Sequence, residues 1–172
     1  MIMRLALLSL LCLAIASPIW PLGENPTLGD PFLIVNVGSN ELAYIQDGEI
    51  KDILKVATGK IGDETPLGTF MIIVKAVNPY YRKKDIPGGD PTNPLGTRWI
   101  GFDANETNGR TYGIHGTNRP DSIGYSITAG CIRLPNELVE RLFEEVPLGT
   151  AVHITNKNDS FETIAREFGA IH

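Results

Sequence analysis

Residues 112–134 read YGIHGTNRPDSIGYSITAGCIRL, and we interpret the rest of the chain as a scaffold for this stretch. It starts as a short apolar strand that ends at His115, continues through a loop rich in Gly, Pro, Asn, Asp and Ser, and returns to Cys131. A cysteine acts as a nucleophile only as the thiolate, and a nearby imidazole can take its proton and later pass it to a leaving amine. The returning loop can place the thiol beside the imidazole, so the stretch suggests a Cys–His catalytic pair.

A structural cysteine is the alternative, because cysteine is among the most buried residue types and most single cysteines are inert. The neighbouring residues favour chemistry. Gly116 directly follows the histidine and Gly130 directly precedes the cysteine, so both positions let a substrate approach the backbone. Arg133 can hold a carboxylate or a peptide carbonyl. From these residues alone, a catalytic and a structural thiol stay equally open.

Two segments carry a resemblance to a known family. Residues 115–117 (HGT) and 128–133 (TAGCIR) together resemble the signature of the L,D-transpeptidase catalytic domain, the YkuD-like family. Residues 65–70 (TPLGTF) resemble a turn that lies upstream in the family, and residues 147–154 (PLGTAVHI) resemble its closing strand. The resemblance spans about residues 31–155, which we take as the catalytic domain.

The resemblance implies a fold and a reaction. The implied fold is mostly β, a two-sheet β-sandwich with one clear helix after the nucleophile. Cys131, deprotonated by His115, would attack the third-residue carbonyl of a peptidoglycan stem tetrapeptide and form a thioester. The amine of a neighbouring stem would then resolve the thioester, so stem peptides are both donor and acceptor, and the product is a cell-wall cross-link. β-Lactams of the carbapenem type would acylate the same cysteine, and no cofactor is expected.

The resemblance also implies the neighbours that complete the site. Arg133 would contact a carboxylate or carbonyl of the substrate. The other expected binding positions are pocket-lining or turn residues: Gly130, Gly116, Thr117, Thr128 and Tyr112. Many family members have a second histidine directly before the Gly-Cys pair, where this chain has Ala129, and that difference bears on substrate contacts. A backbone carbonyl orients the histidine in the family, so no third catalytic side chain is required.

Apolar patterning supports the mostly-β prediction. Continuous or alternating apolar runs predict strands at 32–37, 42–45, 50–57, 70–77, 98–102 and 151–155. Apolar residues at helical spacing predict a helix at 135–146, with Asn136 as its N-cap. Residues 156–172 form a polar C-terminal tail in which a short helix is possible. Residues 78–97 form a long loop, and a binding loop and a solvated surface loop are both open.

The first 16 residues have the pattern of a secretory signal peptide: one arginine, an apolar run and a small-x-small ending. Residues 17–30, rich in Pro and Gly, are then a linker. Cleavage would remove Cys12 and leave Cys131 as the one cysteine of the mature chain. An unpaired thiol in an oxidising compartment is more easily explained by use than by packing. We therefore expect an exported protein of the cell wall or periplasm, with no stable membrane insertion after cleavage.

Composition limits the remaining possibilities. The chain has 172 residues with 42% apolar side chains, enough for one domain with a sizeable core. Its net charge of -5 argues against a nucleic-acid partner, which requires a basic face. Three rivals to the transpeptidase stay open: an L,D-carboxypeptidase with water as acceptor, a non-catalytic cell-wall binding domain, and a metal site formed by Cys131, His115 and His153. The last lacks a close-spaced ligand pair, so we expect no metal.

Overall fold

Ten strands and two α-helices form the regular structure of residues 25–172, the part of the chain that this computed structural model describes. The strands are β1 (Phe32–Asn36), β2 (Glu41–Gln46), β3 (Glu49–Lys55), β4 (Thr58–Gly59), β5 (Gly68–Val77), β6 (Arg98–Phe102), β7 (Tyr112–His115), β8 (Ser126–Thr128), β9 (Ile132–Arg133) and β10 (Ala151–Thr155). The helices are α1 (Asn136–Glu145) and α2 (Phe161–Glu167).

Eight strands form one curled sheet in the order β3-β2-β1-β10-β5-β6-β7-β9, and β4 pairs with β8 separately. The ten-residue strand β5 joins the two halves of the sheet. Its residues 68–71 pair with β10, and its residues 72–77 pair with β6. A register shift between Ile72 and Val74 marks a bulge, which bends a strand and increases its twist. The predicted mostly-β fold, with two sheet portions enclosing a core, is confirmed.

The two faces of β1 bury side chains in different cores, because successive side chains of a strand point to opposite sides. Leu33 and Val35 join the main core, which lies between the two halves of the sheet and α1. Phe32 and Ile34 join a second cluster under α2. All five residues of β1 are therefore buried, which explains the continuous apolar run in the sequence.

The helix predicted after the nucleophile is present as α1, and it packs against β6 and β7. Val139 and Leu142 are buried on its apolar face. The prediction that Asn136 caps this helix is wrong. Pro135 occupies the N-cap position without a side-chain cap, and Asn136 is the first helical residue. The Asn136 side chain instead serves the loop that follows β7, as described below.

The C-terminal segment is more than a polar tail, because its helix α2 covers the outer face of β1 and β2. Ser160 caps α2 by accepting a hydrogen bond from the Thr163 amide at 3.2 Å. Phe161, Ile164 and Ala165 are buried on the helix face that meets the sheet. Ile164 and Ala165 follow Phe161 by three and four residues, so all three lie on one face of the helix. This is why a mostly polar segment can still pack against the sheet.

The predicted signal peptide and most of the predicted linker lie outside the described residues. At the start of the described chain, Asp30 accepts a hydrogen bond from the Thr27 amide at 2.8 Å and closes a turn before β1. Within residues 25–172, neither helix has the length and apolar character needed to cross a membrane.

Candidate active site

His115 ends β7 and is buried between β6 and β9. Its Nδ1 lies 2.6 Å from the Gly116 carbonyl oxygen, which can only accept, so Nδ1 carries the proton and donates it. The other ring nitrogen, Nε2, is then the unprotonated one and the atom that can act as a base. The Trp99 ring stacks on the imidazole with ring centroids 5.6 Å apart and limits its rotation.

Cys131 directly precedes β9, and the parallel pairing of β9 with β7 brings it to the histidine. His115 is paired in register with Arg133, and Cys131 lies two residues before Arg133. Because side chains alternate along a strand, all three side chains belong to one face. The Cys131 thiol, which is half-buried, donates to the Thr111 carbonyl at 3.5 Å. The sulfur therefore contacts the backbone of Thr111, the residue before β7. Among the described residues it forms no hydrogen bond to the imidazole.

Burial keeps both the imidazole of His115 and the thiol of Cys131 neutral. Burial, with a smaller contribution from the charge of Arg133, lowers the pKa of His115 from 6.5 to about 4, and backbone hydrogen bonds to Gly116 and Leu95 oppose this shift. Burial also raises the pKa of the Cys131 thiol, although the Gly113 amide and the charges of Lys83 and Arg133 oppose this. The resting site thus holds a thiol and a neutral imidazole, and the proton must move when the sulfur attacks.

A tight turn built by Thr128 fixes the cysteine. The Thr128 hydroxyl donates to the Cys131 carbonyl at 2.6 Å and accepts from the Gly130 amide at 3.2 Å. Gly130 has a φ of +98°, and a Cβ there would lie 3.1 Å from the Tyr112 ring, so glycine is required. The structure thus places Thr128 as a turn residue and Tyr112 as a packing residue behind the turn, which are roles that the sequence left open. Ala129 is exposed on the outside of this turn.

Asn136 fixes the loop that follows the histidine, a role the sequence did not reveal. Its Oδ1 accepts hydrogen bonds from the Thr117 amide at 3.0 Å and the Thr97 amide at 3.4 Å. A Cβ on Gly116 would lie 2.1 Å from that oxygen, so only glycine fits there. Thr117 is buried, and its hydroxyl accepts from the Arg119 amide at 2.9 Å. Asn136 thereby sets the position of the Gly116 carbonyl that orients His115.

We expect Asn136→Ala to slow acylation of Cys131 by ~10- to 100-fold, because a small displacement of a positioned group can have that effect on rate. The substitution also leaves two amides without their acceptor, which costs about 1–3 kcal/mol of stability. Single-turnover acylation kinetics and thermal unfolding will measure the two effects at a temperature where both proteins are folded.

Asn118→Ala is the matched control for this prediction, because Asn118 lies in the same loop but is exposed and bonds only to the Thr92 carbonyl. An Asn136→Ala protein that acylates as fast as the Asn118→Ala protein would contradict the positioning role.

A cavity of about 500 Å³ opens beside Cys131, within the size range of small-ligand sites. Trp99 forms part of its wall and is held by a hydrogen bond from Nε1 to the Gly109 carbonyl at 2.8 Å. The long loop 78–97 supplies much of the opposite wall, which favours its interpretation as a binding loop. The lining residues are Val74, Lys75, Ala76, Pro79, Tyr80, Tyr81, Arg82, Lys83, Leu95, Trp99, Arg110, Thr111 and Cys131.

Arg133 carries a charge that the fold leaves uncompensated. It is half-buried, its Nε has no hydrogen-bond partner, and within the described residues it forms no ion pair. Burial lowers its pKa, and the nearby charge of Arg119 acts in the same direction. A guanidinium in this state is ready to accept an anionic or carbonyl ligand.

The metal-site alternative receives no support from the geometry. His153 lies on β10, where its Nδ1 is 2.9 Å from the Thr69 hydroxyl and its ring packs on Phe168 under α2. Among residues 25–172 there is no group of three side chains able to hold a metal ion. The structure thus keeps Cys131 and His115 together and His153 apart from them.

Fold and site together define a class: a mostly-β domain with a cysteine at a cavity wall and a buried histidine on the neighbouring paired strand. Residues 30–154 match the sequence profile of the YkuD family, described as the L,D-transpeptidase catalytic domain. The chain belongs to this family, and it is an L,D-transpeptidase, an acyltransferase with a cysteine nucleophile.

Individual proteins agree with this assignment. The chain is 59% identical over 155 residues to YqjB of Bacillus subtilis, named as a candidate L,D-transpeptidase, and the match covers 90% of this chain and 88% of YqjB. The catalytic domain of the Enterococcus faecium L,D-transpeptidase has a similar fold, with a TM-score of 0.56, 23% identity and coverage of 74% of this chain and 98% of that one. L,D-Transpeptidase 3 of Mycobacterium tuberculosis, solved with a faropenem-derived adduct, gives a TM-score of 0.58, 16% identity and coverage of 73% and 60%.

Proposed function

We propose that this chain uses Cys131 and His115 to cross-link peptidoglycan stem peptides through a thioester. The observation that carries the proposal is the placement of the thiol at a cavity wall, beside a strand that holds a buried imidazole with an unprotonated Nε2, and two residues before the uncompensated Arg133. Membership of the L,D-transpeptidase family supplies the substrate class.

Acylation follows from the resting protonation states. Sγ attacks the third-residue carbonyl of the donor stem while Nε2 of His115 takes the thiol proton, so charge appears only as the C–S bond forms. The Gly116 carbonyl, hydrogen-bonded to Nδ1, stabilises the imidazolium. His115 then gives the proton to the departing terminal amine, and the C–N bond breaks to leave the thioester.

Two further groups act on the substrate. The Gly130 amide already donates to Thr128, which leaves the Cys131 amide as the local donor to the oxyanion. Arg133 holds a carboxylate or carbonyl of the stem beside the sulfur. In the second half-reaction the acceptor amine attacks the thioester, His115 takes its proton, and the free thiol is restored.

The same nucleophile accounts for inhibition. The M. tuberculosis L,D-transpeptidase 3 described above was solved with an adduct derived from faropenem, a β-lactam. For this chain we propose that carbapenem-type β-lactams acylate Cys131, because ring strain makes the lactam carbonyl a reactive electrophile towards a thiol that is accessible at the cavity wall.

Incubation of the purified chain with a donor tetrapeptide and an acceptor amine, followed by mass spectrometry, tests the proposed function. We expect a cross-linked product together with release of the terminal amino acid. Release with only a tripeptide product would identify an L,D-carboxypeptidase. No release by folded protein would overturn the proposal and favour a non-catalytic cell-wall binding domain.

We also propose that the chain is exported and acts outside the cytoplasm. The support is the signal-peptide pattern of residues 1–16 together with a substrate that lies in the cell wall. The mass of the chain recovered from cell-wall or periplasmic fractions should correspond to cleavage after Ala16. An intact chain recovered only from the cytoplasm would contradict this.

A further inference from the structure

The cavity beside Cys131 has a basic wall in an acidic protein. Four lysines and arginines line the cavity and no aspartate or glutamate does, although the whole chain has 20 acidic and 15 basic residues. One of the four, Lys75, is occupied, because its Nζ donates to the Phe143 and Val146 carbonyls at the end of α1. Arg82, Lys83 and Arg110 remain, and we call these three residues the basic wall.

The charges of the basic wall are not neutralised by the fold. None of the three residues takes part in an ion pair within residues 25–172, where the pairs involve other lysines and arginines. Asp85 and Asp90, the acids of the same long loop, accept hydrogen bonds from the Tyr80 hydroxyl and from Thr92 and form no ion pair with the basic wall. All three basic residues are exposed, so a ligand in the cavity can reach them.

The field of the basic wall extends to the reacting atom. The charge of Lys83 lowers the pKa of the Cys131 thiol, alongside the charge of Arg133. Lys83 and Arg82 lie in the 3-10 turn of residues 82–84 within the long loop, whereas Arg110 precedes β7. Positive charge therefore enters the cavity from two separate segments, and a cleft lined by one sign of charge concentrates ligands of the opposite sign.

We propose that the basic wall selects stem peptides with free carboxylates over the same peptides in which those groups are carboxamides. This inference rests on the proposed function and adds a specificity to it. A carboxamide has nearly the shape of a carboxylate but carries no charge and replaces one acceptor oxygen with an NH2 donor, so the two substrates differ in their electrostatic interactions and hardly in size. Exposed charge pairs have small individual effects, and three together lead us to expect a preference of about tenfold in kcat/KM.

The test compares two donor tetrapeptides: one with all carboxyl groups free, and one with every carboxyl group except the terminal one converted to a carboxamide. The ratio of their kcat/KM values is measured for the wild type, Lys83→Gln, Arg110→Gln and the double variant. Lys84→Gln is the matched control, because Lys84 is exposed on the same turn but does not line the cavity. We expect each single variant to lower the ratio by ~2- to 3-fold and the control to preserve it.

The outcomes distinguish failure of this inference from failure of the proposed transpeptidase function. A wild-type ratio near one, or a ratio that Lys83→Gln and Arg110→Gln leave unchanged, would overturn the selectivity while the transpeptidase stands. Failure of the wild type to turn over either peptide would overturn the proposed function, and the selectivity with it. A ratio that falls in both variants and also falls with added salt, which screens exposed charges, would establish the basic wall as the cause.

Discussion

Replacing Cys131 with alanine is expected to abolish the covalent adduct that a carbapenem forms with this protein. Acylation needs a sulfur at the cavity wall, and alanine supplies none, while the turn that Thr128 builds uses only the backbone of residue 131. The turn should therefore persist in the variant. Intact mass after incubation with a carbapenem should show one adduct on the wild type and none on Cys131→Ala.

Cys12→Ala in the uncleaved chain is the matched control for this experiment, because residue 12 is the other cysteine of the full sequence. We expect its adduct to match that of the wild type. An adduct that persists on Cys131→Ala would place the nucleophile elsewhere. A folded wild type that takes up no carbapenem would remove the support for inhibition by this route.

His115→Gln is expected to slow acylation by ~10²- to 10⁴-fold, the usual contribution of a positioned general base. Glutamine can still occupy the site beside Trp99, but it cannot take a proton. Because the pKa of His115 is about 4, the wild-type rate should stay level from neutral pH down to about pH 5 and fall to half near pH 4. The variant should lack this acidic limb and gain rate steadily with rising pH, as the thiolate forms unaided.

The same histidine makes stability depend on pH. Its folded pKa lies below the unfolded value of 6.5, so the neutral form favours folding and this contribution is fully present above about pH 6.5. It is lost as the pH falls from 6.5 to about 4 and amounts to about 3 kcal/mol. Thermal unfolding of wild type and His115→Gln across this range will compare the two slopes. An acidic limb centred near pH 6.5, or equal slopes in both proteins, would contradict the buried neutral imidazole.

The sequence predicted the elements that have a strong local signal. The apolar runs of β1 and β10 are buried strands, and the helical spacing of Leu138 and Leu142 gives α1. The run of β5 also forms a strand, but the expectation that this strand is buried is wrong, because Ile72 is its one buried residue. The His115–Cys131 stretch was recognised from residue chemistry before any geometry. The short strands β4, β8 and β9 were not separated from their loops, because two or three residues carry no measurable period. Their pairing depends on contacts from distant segments instead.

Two residues that shape the site escaped sequence reasoning for a physical reason. The sequence position of Asn136 is typical of a helix cap. In the structure its side-chain oxygen instead lies close to Gly116 and accepts a hydrogen bond from the Thr117 amide. For Trp99, the sequence pattern indicates only that the residue lies in a strand. A signal was present, because Gly101 and Gly113 interrupt their strands, and a Cβ on Gly113 would lie 2.7 Å from the Trp99 ring. Glycine inside a strand can thus reveal a large side chain lying across it.

The position of β10 between β1 and β5 has a consequence for the order of folding. β1 is the first strand of the described chain and β10 the last, yet they pair directly, with Phe32 opposite Ala151. Bringing the two ends of such a long segment together costs conformational entropy before the strands gain any contacts. We therefore expect β1 and β10 to pair late in folding. The two halves of the sheet therefore cannot become one until β10 is in place, whereas every residue that lines the cavity, from Val74 to Cys131, precedes β10 in the chain.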